Sequence, residues 1–156
     1  LRDLGVEASL RWTGEGDLKE QAQELAKELG VDAKFLGSGS PQDVENEIAH
    51  SDVFFAPTKG ENFFVAAAEA LVNGRPLVAS EKGGHTEYAD PRFTEIVTER
   101  TPKAYANAVL RVLEKSRGIS AEEISKTVGA RFSPAGVARS YKDIYQRVAA
   151  AREPAT

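Results

Sequence analysis

Glu61 and Glu69 stand eight residues apart, where an apolar stretch ending at Pro57 gives way to an alanine-rich helical run. With Glu61 at the start of that helix, Glu69 lies a little over two turns along and about 80° around, at 100° per residue. Both carboxylates can then line one edge of a cleft. Glu69 is flanked by Ala66, Ala67, Ala68, Ala70 and Leu71. A carboxylate buried among such residues needs hydrogen-bond donors, and a pair of ligand hydroxyls would supply them. The same spacing also suits a structural role, with Glu61 facing the positive end of the helix and Glu69 turned to solvent.

Three further loops carry glycines at positions where a ligand could approach the backbone. In Thr13-Gly14-Glu15-Gly16-Asp17, Gly14 and Gly16 permit a sharp turn and close contact. Lys19 occupies the place of the third glycine of a dinucleotide fingerprint, so this is either a structural turn or a nucleotide contact. Ser38 and Gly39, in Gly37-Ser38-Gly39-Ser40, leave room for a flat base or a phosphate ahead of a helix, or form a plain connector. Gly83-Gly84 again offers exposed amides before a short helix, with His85 expected at the surface. Neither His50 nor His85 has a nucleophile nearby, no metal-ligand cluster is apparent, and the absence of cysteine excludes disulfides and thiolate zinc sites.

The elements that must carry these loops alternate between strand and helix patterns, which implies βαβ units on a parallel sheet. Strands are expected over Glu7 to Trp12, Ala33 to Leu36, Asp52 to Pro57 (fully buried), Pro76 to Ser80 and Thr94 to Val97. A helix from Asp17 buries Leu18, Ala22, Leu25 and Leu29, and Gly30 ends it. Others run from Ser40-Pro41 to His50, from Phe63 to Asn73, and over His85 to Ala89. Thr101-Pro102 and Ser133-Pro134 repeat a cap-plus-proline start, and Ser120 with Glu123 fits a capping box. Two apolar stripes are expected in the core: Tyr105, Ala108, Val109, Val112 and Leu113, then Val137, Tyr141, Ile144, Tyr145 and Val148. In an open parallel sheet, ligands bind beyond the C-terminal strand ends, where all four loops fall.

The 156 residues are 41% apolar and 28% charged, as in an ordinary globular domain. A net charge of −4 argues against a nucleic-acid partner, and no apolar run reaches bilayer-spanning length. The chain opens on Leu1 and contains no methionine, so a piece of a longer polypeptide is expected. Residues 1–151 form one domain on this reading, and 152–156 a frayed tail.

Taken together, Ser51-Asp52-Val53-Phe54-Phe55-Ala56-Pro57-Thr58, Gly60-Glu61-Asn62-Phe63, Glu69-Ala70-Leu71, Gly74-Arg75-Pro76-Leu77-Val78-Ala79-Ser80, Gly83-Gly84 and Glu87 resemble the signature of the family-4 glycosyltransferases. Glu61 through Glu69 matches that family's E-x7-E motif. The resemblance implies a Rossmann-like α/β domain, a parallel sheet flanked by helices, forming the C-terminal donor-binding half of a retaining enzyme of GT-B architecture. It further implies that Glu69 holds the ribose hydroxyls and that Glu61, the catalytic position, lies beside the donor sugar and its phosphates. The run Asn62, Phe63, Phe64 and Val65 would offer amides to the sugar or diphosphate. Ser38 and Gly39 would border the base, with Gly14 and Gly16 nearby. The expected substrate is a UDP-, GDP- or ADP-sugar, with no cofactor and no metal. The expected partner is an N-terminal acceptor-binding domain of the same parent chain, at a cytoplasmic location reaching the inner membrane face through that domain.

Two departures from the family qualify this. Phe64 stands where the family usually has glycine, so either the sugar sits differently, the ring turns into the core, or donor binding is impaired. The family's diphosphate-clamping Arg and Lys belong to an earlier strand and loop that this chain lacks, and the isolated chain is expected to be inactive. The alternative is a non-catalytic nucleotide-binding or interaction domain of the same fold; a sugar-nucleotide epimerase fits less well. The final helix, Ser133 to Ala150, is also a candidate to cross toward the N-terminal domain, leaving part of its Tyr141/Tyr145 face bare.

Overall fold

The structure, a computed structural model, describes residues 1–151; the expected tail lies outside the described residues. After a short turn at Arg2–Leu4 come β1 (Ser9–Thr13), α1 (Lys19–Glu28), β2 (Asp32–Gly37), α2 (Pro41–Ala49), β3 (Phe54–Ala56), α3 (Val65–Val72) and β4 (Leu77–Ser80). A single 3-10 turn, Gly84–Glu87, leads to β5 (Thr94–Val97), and three helices follow: α4 (Pro102–Lys115), α5 (Ala121–Phe132) and α6 (Pro134–Ala150). The α/β fold with parallel pairing is as expected. The strands form two sheets, however: β1 pairs with β2, and β4 lies between β3 and β5. Among the described residues no strand joins the free edges of β1 and β3.

The central strand β4 is buried on both faces, which is why Leu77-Val78-Ala79 reads as a continuous apolar run. Successive side chains point to opposite faces of a strand. Leu77 and Ala79 join one core cluster with Phe64, Ala67, Leu71, Phe93, Ile124 and Val128, under α3 and α5. Val78 joins the other, with Val97, Tyr105, Ala108, Val109 and Val112 under α4. Ser40, Thr101, Ser120 and Ser133 all cap their helices by accepting an amide hydrogen, each followed by proline at the first turn except Ser120. The reciprocal capping box forms at Ser40 and Asp43; at Ser120 only the hydroxyl-to-Glu123 amide half is made.

Several expected burials are not realised. Leu18, Leu25 and Leu29 of the first helical stripe are exposed, Leu18 by 67%, because β2 covers only part of α1. The α6 stripe is open as well: Val137, Tyr141, Ile144, Tyr145 and Val148 all face solvent, with α5 the main element packed against that helix. Leu113 is exposed and stays outside the core cluster that takes the rest of its stripe. The strand expected from Glu7 starts at Ser9, and the one expected over Asp52 to Pro57 is confined to Phe54–Ala56 with both phenylalanines only half-buried.

Candidate functional site

The loops after β3 and β4 are tied into one structure. The Ser80 hydroxyl donates to the Thr58 carbonyl. The Glu61 amide donates to Lys82 O at 3.2 Å, and the Gly84 amide to Asn62 O at 2.5 Å. A side chain on Gly84 would collide with the Asn62 carbonyl, so this approach requires glycine.

Phe64 decides how α3 begins. It is the one non-glycine residue with positive φ among the described residues, at φ 66° and ψ 67°. The left-handed region costs an L-residue about 1–2 kcal/mol, and three contacts hold it there. The ring is buried, 8% exposed, and packs edge-on against Phe54 (6.3 Å between centroids) and His85 (5.5 Å). The Tyr88 hydroxyl donates to Phe64 O at 2.8 Å, with Phe63 O at 3.2 Å. Burial pushes the Tyr88 phenol up to about 12, so it remains a donor throughout the neutral range. Of the three outcomes open for Phe64, the ring turns into the core. It also moves the helix start: the helix expected from Phe63 to Asn73 forms as α3, beginning two residues later at Val65.

The N-terminus of α3 has no side-chain cap. The Phe64 carbonyl takes the Ala67 and Ala68 amides, while those of Val65 and Ala66 find no acceptor among the described residues. Unpaired amides at the positive end of a helix form an anion site. Glu61 lies in the loop before it, so the angular argument that placed both glutamates on one helix does not hold. Glu69 is exposed on the same helical face as Val65, because Ala67, Ala68, Ala70 and Leu71 occupy the buried face. The expected buried carboxylate is therefore an open one, one turn beyond the free amides. The exposed Phe63 packs against Tyr88 and Phe132, with centroids 5.3 and 5.4 Å away.

The other four glycine-loop positions gather at the neighbouring sheet. Gly14 N donates to Gly37 O at 2.8 Å, which brings Gly14 and Gly16 beside Ser38 and Gly39 at the C-terminal ends of β1 and β2. No hydrogen bond or ion pair joins this group to the Glu61–Val65 group among the described residues. Two residues were missed. Tyr88 gave no signal in its spacing. His85, expected at the surface, is completely buried, because the turn after Gly83 rotates it under the loop, with Nε2 2.8 Å from Ser80 O. Among the described residues no group of three or more His, Cys, Asp or Glu could hold a metal ion.

Residues 1–128 match the family model for glycosyl transferases group 1. The chain belongs to that family. A D-inositol 3-phosphate glycosyltransferase of Corynebacterium kroppenstedtii is 30% identical over 128 residues, covering 80% of this chain and 28% of that protein. A GDP-mannose-dependent alpha-(1-6)-phosphatidylinositol dimannoside mannosyltransferase of Mycobacterium tuberculosis is 34% identical over 116 residues, covering 74% and 30%. This group 1 chain thus spans about three-tenths of either relative. Its fold matches the lipopolysaccharide outer core galactosyltransferase WaaB (TM-score 0.76, 21% identity, 89% of this chain and 41% of that one). It also matches Anabaena Alr3699/HepE in complex with UDP-glucose (TM-score 0.68, 21% identity, 89% and 41%).

Proposed function

We propose that this chain is the donor-nucleotide-binding domain of a glycosyltransferase that moves a sugar from a nucleoside-diphosphate sugar to an acceptor hydroxyl with retention. The observation that carries this is the uncapped N-terminus of α3, with unpaired Val65 and Ala66 amides between Glu61 and Glu69 and the Gly83-Gly84 turn pinned alongside. In this reading the Phe64, Val65 and Ala66 amides take the diphosphate, Glu69 accepts the ribose hydroxyls, and Glu61 faces the sugar. Gly14, Gly16, Ser38 and Gly39 border the base. Catalysis is then mainly positioning, with helix-end amides stabilising the departing diphosphate. No metal enters this scheme.

Support comes from the openness of the α3 stripe and from the solved neighbour crystallised with UDP-glucose. Burial of the Phe64 ring keeps the cleft clear, which favours donor binding over the non-catalytic alternative. The open α6 stripe suits an acceptor-binding domain in the same parent protein. Among the described residues no helix is long and apolar enough to cross a membrane.

Titration calorimetry of the full-length protein with UDP, GDP and ADP tests the reading. One of the three binds, and Glu69→Ala weakens it by about tenfold or more, the scale of lost charge-assisted hydrogen bonds. The chain alone turns over no sugar nucleotide above the hydrolysis background. Failure of all three nucleotides to bind, or an affinity indifferent to Glu69, overturns the assignment.

A further inference from the structure

His85 lies beneath the proposed donor site with half of its hydrogen-bonding capacity unused. Its Nε2 stands 2.8 Å from the Ser80 carbonyl oxygen, which can only accept, so Nε2 carries the proton. In the neutral ring Nδ1 is then an acceptor. It is buried and has no partner. Buried polar atoms are nearly always paired, and one that is not calls for a partner. An aliphatic side chain would fill the same space under Gly83 without leaving a lone pair unpaired.

The position of Nδ1 points to that partner. A Cβ on Gly83 would stand 2.5 Å from Nδ1, 2.7 Å from Cε1 and 3.3 Å from the Glu61 Cβ. Nδ1, the bare face of Gly83 and the root of the Glu61 side chain therefore converge on one spot. The ring cannot swing away, being held by Ser80 O and by the Phe64 edge. Gly83 carries no side chain, so only its backbone stands between Nδ1 and the side of Glu61. What reaches it must donate a hydrogen bond. Diphosphate oxygens are acceptors and cannot; sugar hydroxyls can.

We propose that His85 is a specificity-determining residue, whose Nδ1 accepts a hydrogen bond from a hydroxyl of the donor sugar seated between Glu61 and the Gly83-Gly84 turn. This rests on the donor-binding reading above. His85 then distinguishes a sugar nucleotide from its bare nucleoside diphosphate, and Gly83 is needed so that no side chain blocks the lone pair.

Two amide substitutions separate the ring nitrogens. In His85→Gln the amide reaches the place of Nε2 and keeps the tie to Ser80, but no acceptor remains at the place of Nδ1. In His85→Asn the amide sits at the place of Nδ1 and the tie is lost. Calorimetric titrations with UDP and UDP-glucose, GDP and GDP-mannose, and ADP and ADP-glucose are made on the full-length protein, wild type and both variants, after circular dichroism shows unaltered fold. For the pair that binds, His85→Gln raises the ratio of sugar-nucleotide Kd to nucleoside-diphosphate Kd by about 5- to 10-fold, one hydrogen bond's worth. The nucleoside diphosphate itself stays within about twofold, and His85→Asn restores the wild-type ratio. An unchanged ratio in His85→Gln, or equal weakening of both ligands, overturns the role of His85 while leaving the donor site standing. If wild type binds none of the six probes, the donor-site reading fails, and this inference with it.

Discussion

Replacing Phe64 by glycine and by alanine tests whether its left-handed backbone is an enforced strain. In most places alanine is the more stable of the two, since glycine costs about 0.5–1 kcal/mol more in chain entropy. At position 64 the order should invert. Both substitutions remove a buried ring from its packing against Phe54 and His85, a loss of about 3–5 kcal/mol for truncation to alanine. Alanine keeps the full left-handed penalty of about 1–2 kcal/mol, which glycine does not bear. Set mid-range against mid-range, the entropy term leaves glycine ahead by about 0.75 kcal/mol. That is a thermal midpoint about 1.5–3 °C above alanine's, at about 2–4 °C per kcal/mol for a domain of this size. The exposed mid-helix position Lys142 of α6 serves as the control. There Lys142→Gly should fall below Lys142→Ala by about 1 kcal/mol. Urea and thermal unfolding of the four variants give the comparison. If alanine matches or exceeds glycine at 64, the backbone there is not strained, and the account of how α3 begins is wrong.

Two further outcomes follow from the same packing. Tyr88→Phe removes the donor to Phe64 O while keeping the ring, so it should destabilise by about 1–2 kcal/mol in urea unfolding; no change would mean the hydroxyl does not hold the turn. At Glu95 burial alone would raise the carboxyl, but the Lys115 ammonium and Arg111 guanidinium outweigh it and hold it below its ordinary 4.5. A depressed folded value means stability that is present above 4.5 and lost as pH falls through the folded value. The drop in urea midpoint between pH 7 and pH 3 should therefore be smaller in Glu95→Gln than in wild type, and an equal drop would refute it.

Much of this architecture was legible because local chemistry and burial agree. Ser40-Pro41, Thr101-Pro102 and Ser133-Pro134 each start a helix, and the apolar run at β4 is the buried central strand of the larger sheet. The site was legible as a set of loops, less so as a geometry. Glu69 sits in an apolar sequence yet faces outward, because small residues on either side of it fill the buried face. Spacing alone does not say which side of an eight-residue alanine-rich helix is covered, since its apolar residues wrap most of the way round. The burial of His85 was illegible for a similar reason. A four-residue 3-10 turn has no periodicity to reveal it, and only the contact between Gly83 and the ring marks it.

The stripes on α1 and α6 misled for a related reason. An amphipathic stripe reports that a face needs cover; it carries no information about what supplies it. On α4 the stripe and its cover lie in the same described stretch, and Tyr105, Ala108, Val109 and Val112 are buried against β4 and β5. On α6 the stripe is as regular, but Tyr141 and Tyr145 stack on each other at 6.3 Å with nothing over them among the described residues. Phe64 illustrates the converse. The turn before α3 demands a left-handed residue, for which glycine is the usual answer. Here a phenylalanine meets the demand, because Tyr88 and His85 supply contacts a glycine would not need. What the position specifies is a backbone conformation, and a different residue can occupy it when its neighbours offset the strain.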